Sequence, residues 1–119
     1  MGDEVVVLRR PARTTLEELA RLARASLEAA GAERAVVFGS WARGTADGYS
    51  DLDLAVVLRT DLPFVERGRL LGALVDALPV GVDLLVYTPE EFARGLGSRR
   101  GVFDAIAREG VTIHERGTG

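Results

Sequence analysis

The chain has 119 residues, 47% of them apolar, a net charge of −3 and no cysteine, which excludes disulfide scaffolds and thiolate metal sites. Its one histidine, His114, rules out a multi-histidine zinc centre and argues against a Ser-His-Asp triad, leaving a strand-end or surface role. The acidic balance is a poor footprint for nucleic acid, so no direct nucleic-acid partner is expected. No apolar run approaches the ~20 residues that span a bilayer, and the start of the chain lacks a signal-peptide pattern. The expectation is a single cytoplasmic domain covering residues 1–119, with no membrane partner. All 15 basic residues are arginine, and asparagine and glutamine are absent, a loss of thermolabile amides that fits a thermophile.

In chain order, Glu4 to Leu8 reads as a short strand or arm ended by Pro11. Thr14-x-x-Glu17 is a capping-box pattern, after which Leu16, Leu19, Ala20, Ala23, Leu27 and Ala30 recur at helical spacing up to a stop at Gly31. A strand is expected over Ala35 to Phe38, a short helix capped by Ser40, and a loop from Gly44 to Ser50. A second strand runs from about Leu52 to Leu58. Pro63 then opens a helix with apolar positions at Leu70, Leu71, Leu74, Val75 and Leu78. A third strand spans Val82 to Tyr87, and Thr88-Pro89-Glu90-Glu91 starts another helix that should break around Gly95 to Ser98. A last helix over Arg100 to Arg108 and a strand over Val111 to His114 complete the pattern. The alternation predicts an α/β (α+β) fold, a mixed sheet flanked by helices.

The chemistry sits in three places. Asp51 and Asp53 are two residues apart at the start of an apolar strand and should face the same way, with Leu52, Leu54, Val56 and Leu58 facing the core. Asp83 lies in a second apolar strand, so pairing of the two strands would bring three carboxylates to one spot. Carboxylates so placed repel, and a hard divalent cation such as Mg2+ relieves the conflict while keeping part of its shell for waters and phosphates. Upstream, Gly39 permits a tight turn after the strand ending at Phe38. The following amides, the Ser40 hydroxyl and the Arg43 guanidinium are suited to phosphate oxygens. Carboxylates for a metal and donors for phosphate in one unit point to nucleotidyl transfer. Trp41 is expected to pack over the sheet edge, Tyr49 to anchor its loop, and Arg99 and Arg100 to be solvated. A Gly-rich Walker loop is absent, which excludes a P-loop ATPase.

These segments resemble the minimal nucleotidyltransferase (MNT) family of the DNA polymerase beta-like superfamily. The motifs are Gly39-Ser40-Trp41-Ala42-Arg43-Gly44-Thr45, Ser50-Asp51-Leu52-Asp53-Leu54 and Val82-Asp83-Leu84, with a looser likeness from Ile106 to Ile113. The resemblance implies that Asp51, Asp53 and Asp83 are catalytic and hold Mg2+, with Asp83 also helping to activate the acceptor hydroxyl. It implies that Gly39 and Ser40 hold the triphosphate of ATP. It further implies an antitoxin role beside a HEPN-type partner, to which AMP is transferred. Two alternatives stay open: a binding module that neutralises a HEPN partner by docking alone, and a small-molecule nucleotidyltransferase whose acceptor pocket is completed by a partner subunit.

Overall fold

A computed structural model describes residues 13–116. The arm expected at Glu4 to Leu8 lies outside the described residues. The chain begins with α1 (Leu16–Ala29), whose N-cap is Thr15; its hydroxyl accepts from the Glu18 amide at 3.1 Å. The expected cap was Thr14. Both threonines precede a glutamate by three residues, and the pattern alone does not choose between them. Leu19, Ala23 and Leu27 form the buried stripe of α1.

Strand β1 (Arg34–Phe38) leads into the four-residue α2 (Ser40–Arg43), and β2 (Leu52–Val57) follows. The segment opened by Pro63 is a 3-10 helix over Phe64–Leu71 that passes into α3 (Gly72–Ala77), where one α-helix was expected. The tighter coil turns Arg67 inward, where it is 6% exposed. There it donates to the carbonyls of Leu62 (2.9 Å) and Val86 (3.0 Å) and to both oxygens of Glu91 (2.6 and 3.1 Å).

Strand β3 (Val82–Tyr87) has the expected bounds, and α4 (Pro89–Ser98) starts with the expected capping box of Thr88 and Glu91. The helix runs through Gly95 and ends at Ser98, the far end of the stretch where a break was expected. Gly95 lets the neighbouring helix lie close, since a Cβ would sit 2.2 Å from Phe103 Cζ. Arg99 caps the helix in the left-handed conformation. Helix α5 (Val102–Glu109) and β4 (Val111–Glu115) close the described chain.

The sheet order is β3-β2-β1-β4. Strand β1 pairs antiparallel with β2 and β4, and β2 pairs parallel with β3, so the sheet is mixed as expected. Alternation along the strands builds two cores. On one face Ala35, Val37, Leu52, Leu54 and Val56 pack with α1 and with Leu71, Leu74 and Leu78. On the other, Val36, Phe38, Ala55 and Val57 pack with Phe92 of α4 and Ile106 of α5. Trp41 packs against the first core and donates its indole N–H to the Ser50 carbonyl at 3.1 Å. Among the described residues no helix is long and apolar enough to cross a membrane.

Candidate active site

Strand register decides which acidic groups meet. Asp53 is paired with Phe38 of β1 on one side and with Asp83 of β3 on the other. Laterally paired residues project to the same face. Asp53 and Asp83 therefore share the face covered by α4 and α5, in line with Ala55 and Val57 below them. The register sets the Asp83 carboxyl beside that of Asp53, where its charge and a side-chain hydrogen bond both act on Asp53. A hydrogen bond between two carboxyl groups needs a proton on one of them.

The Asp53 carboxyl is pushed above the ordinary carboxylate range. Burial is the largest cause, followed by the charge of Asp83, the hydrogen bond to Asp83 and the charge of Asp51; the Arg43 guanidinium opposes them. Strand β2 starts at Leu52, as expected, so Asp51 stands one residue before it. Its carboxylate lies over Gly81, where a Cβ would be 2.3 Å from Oδ1, and the Leu52 amide donates to the Gly81 carbonyl at 2.8 Å. Asp53 and Asp83 meet directly, and Asp51 stands beside them with its charge felt at Asp53.

The turn after β1 is built against this pair. Gly39 has φ 75° and ψ −152°, a region essentially confined to glycine. A Cβ on it would lie 2.1 Å from Asp53 Oδ2. Two independent constraints thus fix glycine at this position. Gly39 is the N-cap of α2, and its carbonyl accepts from the amides of Ala42 and Arg43, both at 3.0 Å. Ser40, expected as the cap, is the first residue of the helix instead. It remains next to Gly39 at the turn, and Arg43 closes the same turn on the side from which its charge reaches Asp53.

One carboxylate at the site has no counterpart in the sequence reading. Glu109, the last residue of α5, accepts through Oε2 from the Gly39 amide at 2.8 Å and from Arg43 Nη1 at 2.9 Å. The only sequence trace was the glutamate-glycine pair at a helix end, 70 residues from its partner. His114 lies towards the other end of β1, opposite Ala35, with Nε2 3.1 Å from the Ala32 carbonyl, and takes no part. Arg99 pairs with Asp104 at 3.0 Å on the surface. Tyr49 is 49% exposed in the loop before Asp51.

Among the described residues no three His, Asp or Glu side chains form a ready-made metal cage. The donor set nonetheless fits Mg2+. It offers hard oxygens from two adjacent carboxyl groups in mutual conflict, and Mg2+ takes only one or two carboxylates and completes its shell with waters and phosphates.

The family model for the nucleotidyltransferase domain matches residues 12–108. The chain belongs to the nucleotidyltransferase domain family. A curated relative from Haemophilus influenzae, named "Probable protein adenylyltransferase MntA", is 47% identical over 58 residues, covering 46% of this chain and 51% of the relative. The chain thus spans about half the length of the curated relative it matches. A crystal structure of a Sulfolobus solfataricus protein assigned as a nucleotidyltransferase superposes with TM-score 0.57 at 21% identity, covering 86% of this chain and 85% of that one. A toxin–antitoxin structure with AMP-PNP superposes with TM-score 0.59 at 24% identity, covering 81% and 73%. These two likenesses establish the nucleotidyltransferase fold.

Proposed function

We propose that this nucleotidyltransferase is a metal-dependent adenylyltransferase that moves AMP from ATP to a hydroxyl of a partner protein, acting as the antitoxin of a HEPN-type toxin. The observation that carries the reading is the Asp53–Asp83 carboxyl pair with the Gly39 turn pressed against it. The AMP-PNP in the toxin–antitoxin relative and the adenylyltransferase name of the H. influenzae relative support ATP as substrate and a protein as acceptor. The HEPN identity of the partner rests on the resemblance of the motifs.

In this reading Asp51, Asp53 and Asp83 hold Mg2+. Bound there, the ion supplies charge neutralisation for the triphosphate and for the leaving pyrophosphate. The chain's own residues do the rest. The turn at Gly39 lets the backbone approach the triphosphate closely, Ser40 presents its N–H and hydroxyl as donors, and Arg43 adds a guanidinium. Asp83, at the open edge of the pair, orients the acceptor hydroxyl and takes its proton. The acceptor oxygen attacks the α-phosphorus, the bond to the β-phosphate oxygen breaks, and pyrophosphate leaves. Catalysis comes from positioning and charge complementarity.

The test uses ATP labelled at either end, offered together with the protein encoded next to this chain. Label at the α-phosphate must appear on that partner and label at the γ-phosphate must not. Transfer of the γ-label would make the chain a kinase and end the proposal.

A further inference from the structure

We propose that Glu109 is a positioning residue of this site, an internal carboxylate that holds the Gly39 amide and the Arg43 guanidinium and yields Arg43 to the triphosphate. The inference rests on the nucleotidyltransferase reading above and adds a residue to which the motifs assign no role.

Glu109 is placed by packing. Ile106 anchors α5 on Val36 and Phe38, and the chain then passes hard against β1 at Gly110. A Cβ at Gly110 would lie 2.4 Å from the Ile106 carbonyl oxygen and 2.7 Å from Val36 Cγ1. This close approach delivers the Glu109 carboxylate to the turn at Gly39. A single oxygen, Oε2, then takes both donors. A backbone N–H beside a guanidinium is the donor chemistry that recognises phosphate, and a triphosphate presents the same kind of acceptor with more charge.

The two contacts differ in strength. The Glu109 side chain is 16% exposed but that of Arg43 is 51% exposed, so the ion pair is half in solvent and weakly held. The bond to the Gly39 amide is partly buried and holds a turn packed against Asp53. Nucleotide binding therefore costs the Arg43 contact and spares the Gly39 contact. Glu109 keeps the turn in shape against Asp53 and sets the threshold an incoming anion must exceed to recruit Arg43.

The test is calorimetric titration of the full chain with Mg2+ and ATP. Glu109→Gln keeps an acceptor oxygen for Gly39 but loses the charge that holds Arg43, so the Kd should fall about two- to fivefold. In an Arg43→Ala background the same change should bring a smaller gain. A residue that merely braced the fold would give the opposite sign, because loosening it weakens binding. An unchanged or higher Kd for Glu109→Gln, with wild-type binding intact, overturns the inference and leaves the nucleotidyltransferase site standing. If neither protein binds ATP, the proposed function falls and this inference falls with it. Should Glu109→Gln melt below the assay temperature, the titration is run below its melting point with the same expectation.

Discussion

Alanine at Gly39 would test how closely backbone and chemistry are joined here. The φ of 75° with ψ −152° is open to glycine and costs any other residue about 1–3 kcal/mol. For a domain of this size that corresponds to a Tm drop on the order of 5–15 °C. The added methyl would also sit 2.1 Å from Asp53 Oδ2, far inside contact distance, so the carboxylate must move by about 1 Å or more. A displacement of that size at reacting groups costs on the order of a hundredfold in rate. Gly44 supplies the control. Its φ is 77°, yet a Cβ there would meet nothing within 4 Å. Gly44→Ala should lose about 1 kcal/mol through backbone strain and keep transfer close to the wild-type rate. The assay pairs thermal melts with AMP transfer measured well below both melting points. If Gly39→Ala transferred at more than half the wild-type rate, the claim that this turn is moulded to Asp53 would be wrong.

Other expectations concern charge. Asp53 takes up its proton more readily in the fold than in the unfolded chain, so its ionised form works against folding at neutral pH. Asp53→Asn should therefore raise the Tm at pH 7 while abolishing transfer. The gap between the two proteins should narrow as pH falls toward the ordinary value of 3.8, where wild type regains its proton. A lower Tm for the variant at neutral pH would contradict the carboxyl conflict. Glu91 has the opposite sign: Arg67 first, then the Thr88 amide, hold its carboxyl down from 4.5 to about 2. Its contribution is present above pH 4.5 and is lost as pH falls from there toward 2. At about 1.4 kcal/mol per pH unit the ceiling is roughly 3 kcal/mol, and partial solvent exposure of Glu91 reduces it to ~1–2 kcal/mol. Glu91→Gln should lose that amount in urea melts at pH 7 and show a flatter acid limb than wild type. Equal acid limbs would remove the assignment.

Much of this arrangement could be read from the residues alone, and the exceptions have physical causes. Strand β3 was legible because its apolar run is bounded by Gly81 and by Thr88-Pro89, and the capping box at Thr88 announced α4. The convergence of Asp53 and Asp83 followed from side-chain alternation once their strands were paired. The parallel register that sets them side by side is a tertiary choice. Local patterns misled where a neighbour overrode them. The Phe103 ring lying on Gly95 explains why the helix ends at Ser98 and not earlier in the expected stretch, and Ser40 looks like a cap until the φ of Gly39 takes that place. Arg67 and Glu109 escaped notice for one reason: their partners lie 24 and 70 residues away. A charged side chain in sequence carries no sign of which distant group will receive it.

The most direct test of the central claim is the intact mass of the partner protein after incubation with this chain, Mg2+ and ATP. The account predicts a gain of one or more AMP units on a hydroxyl of the partner, absent when Asp53→Ala replaces the wild type. A partner that is bound and neutralised by wild type and by Asp53→Ala alike, with no gain in mass, would contradict it and make the chain a docking module.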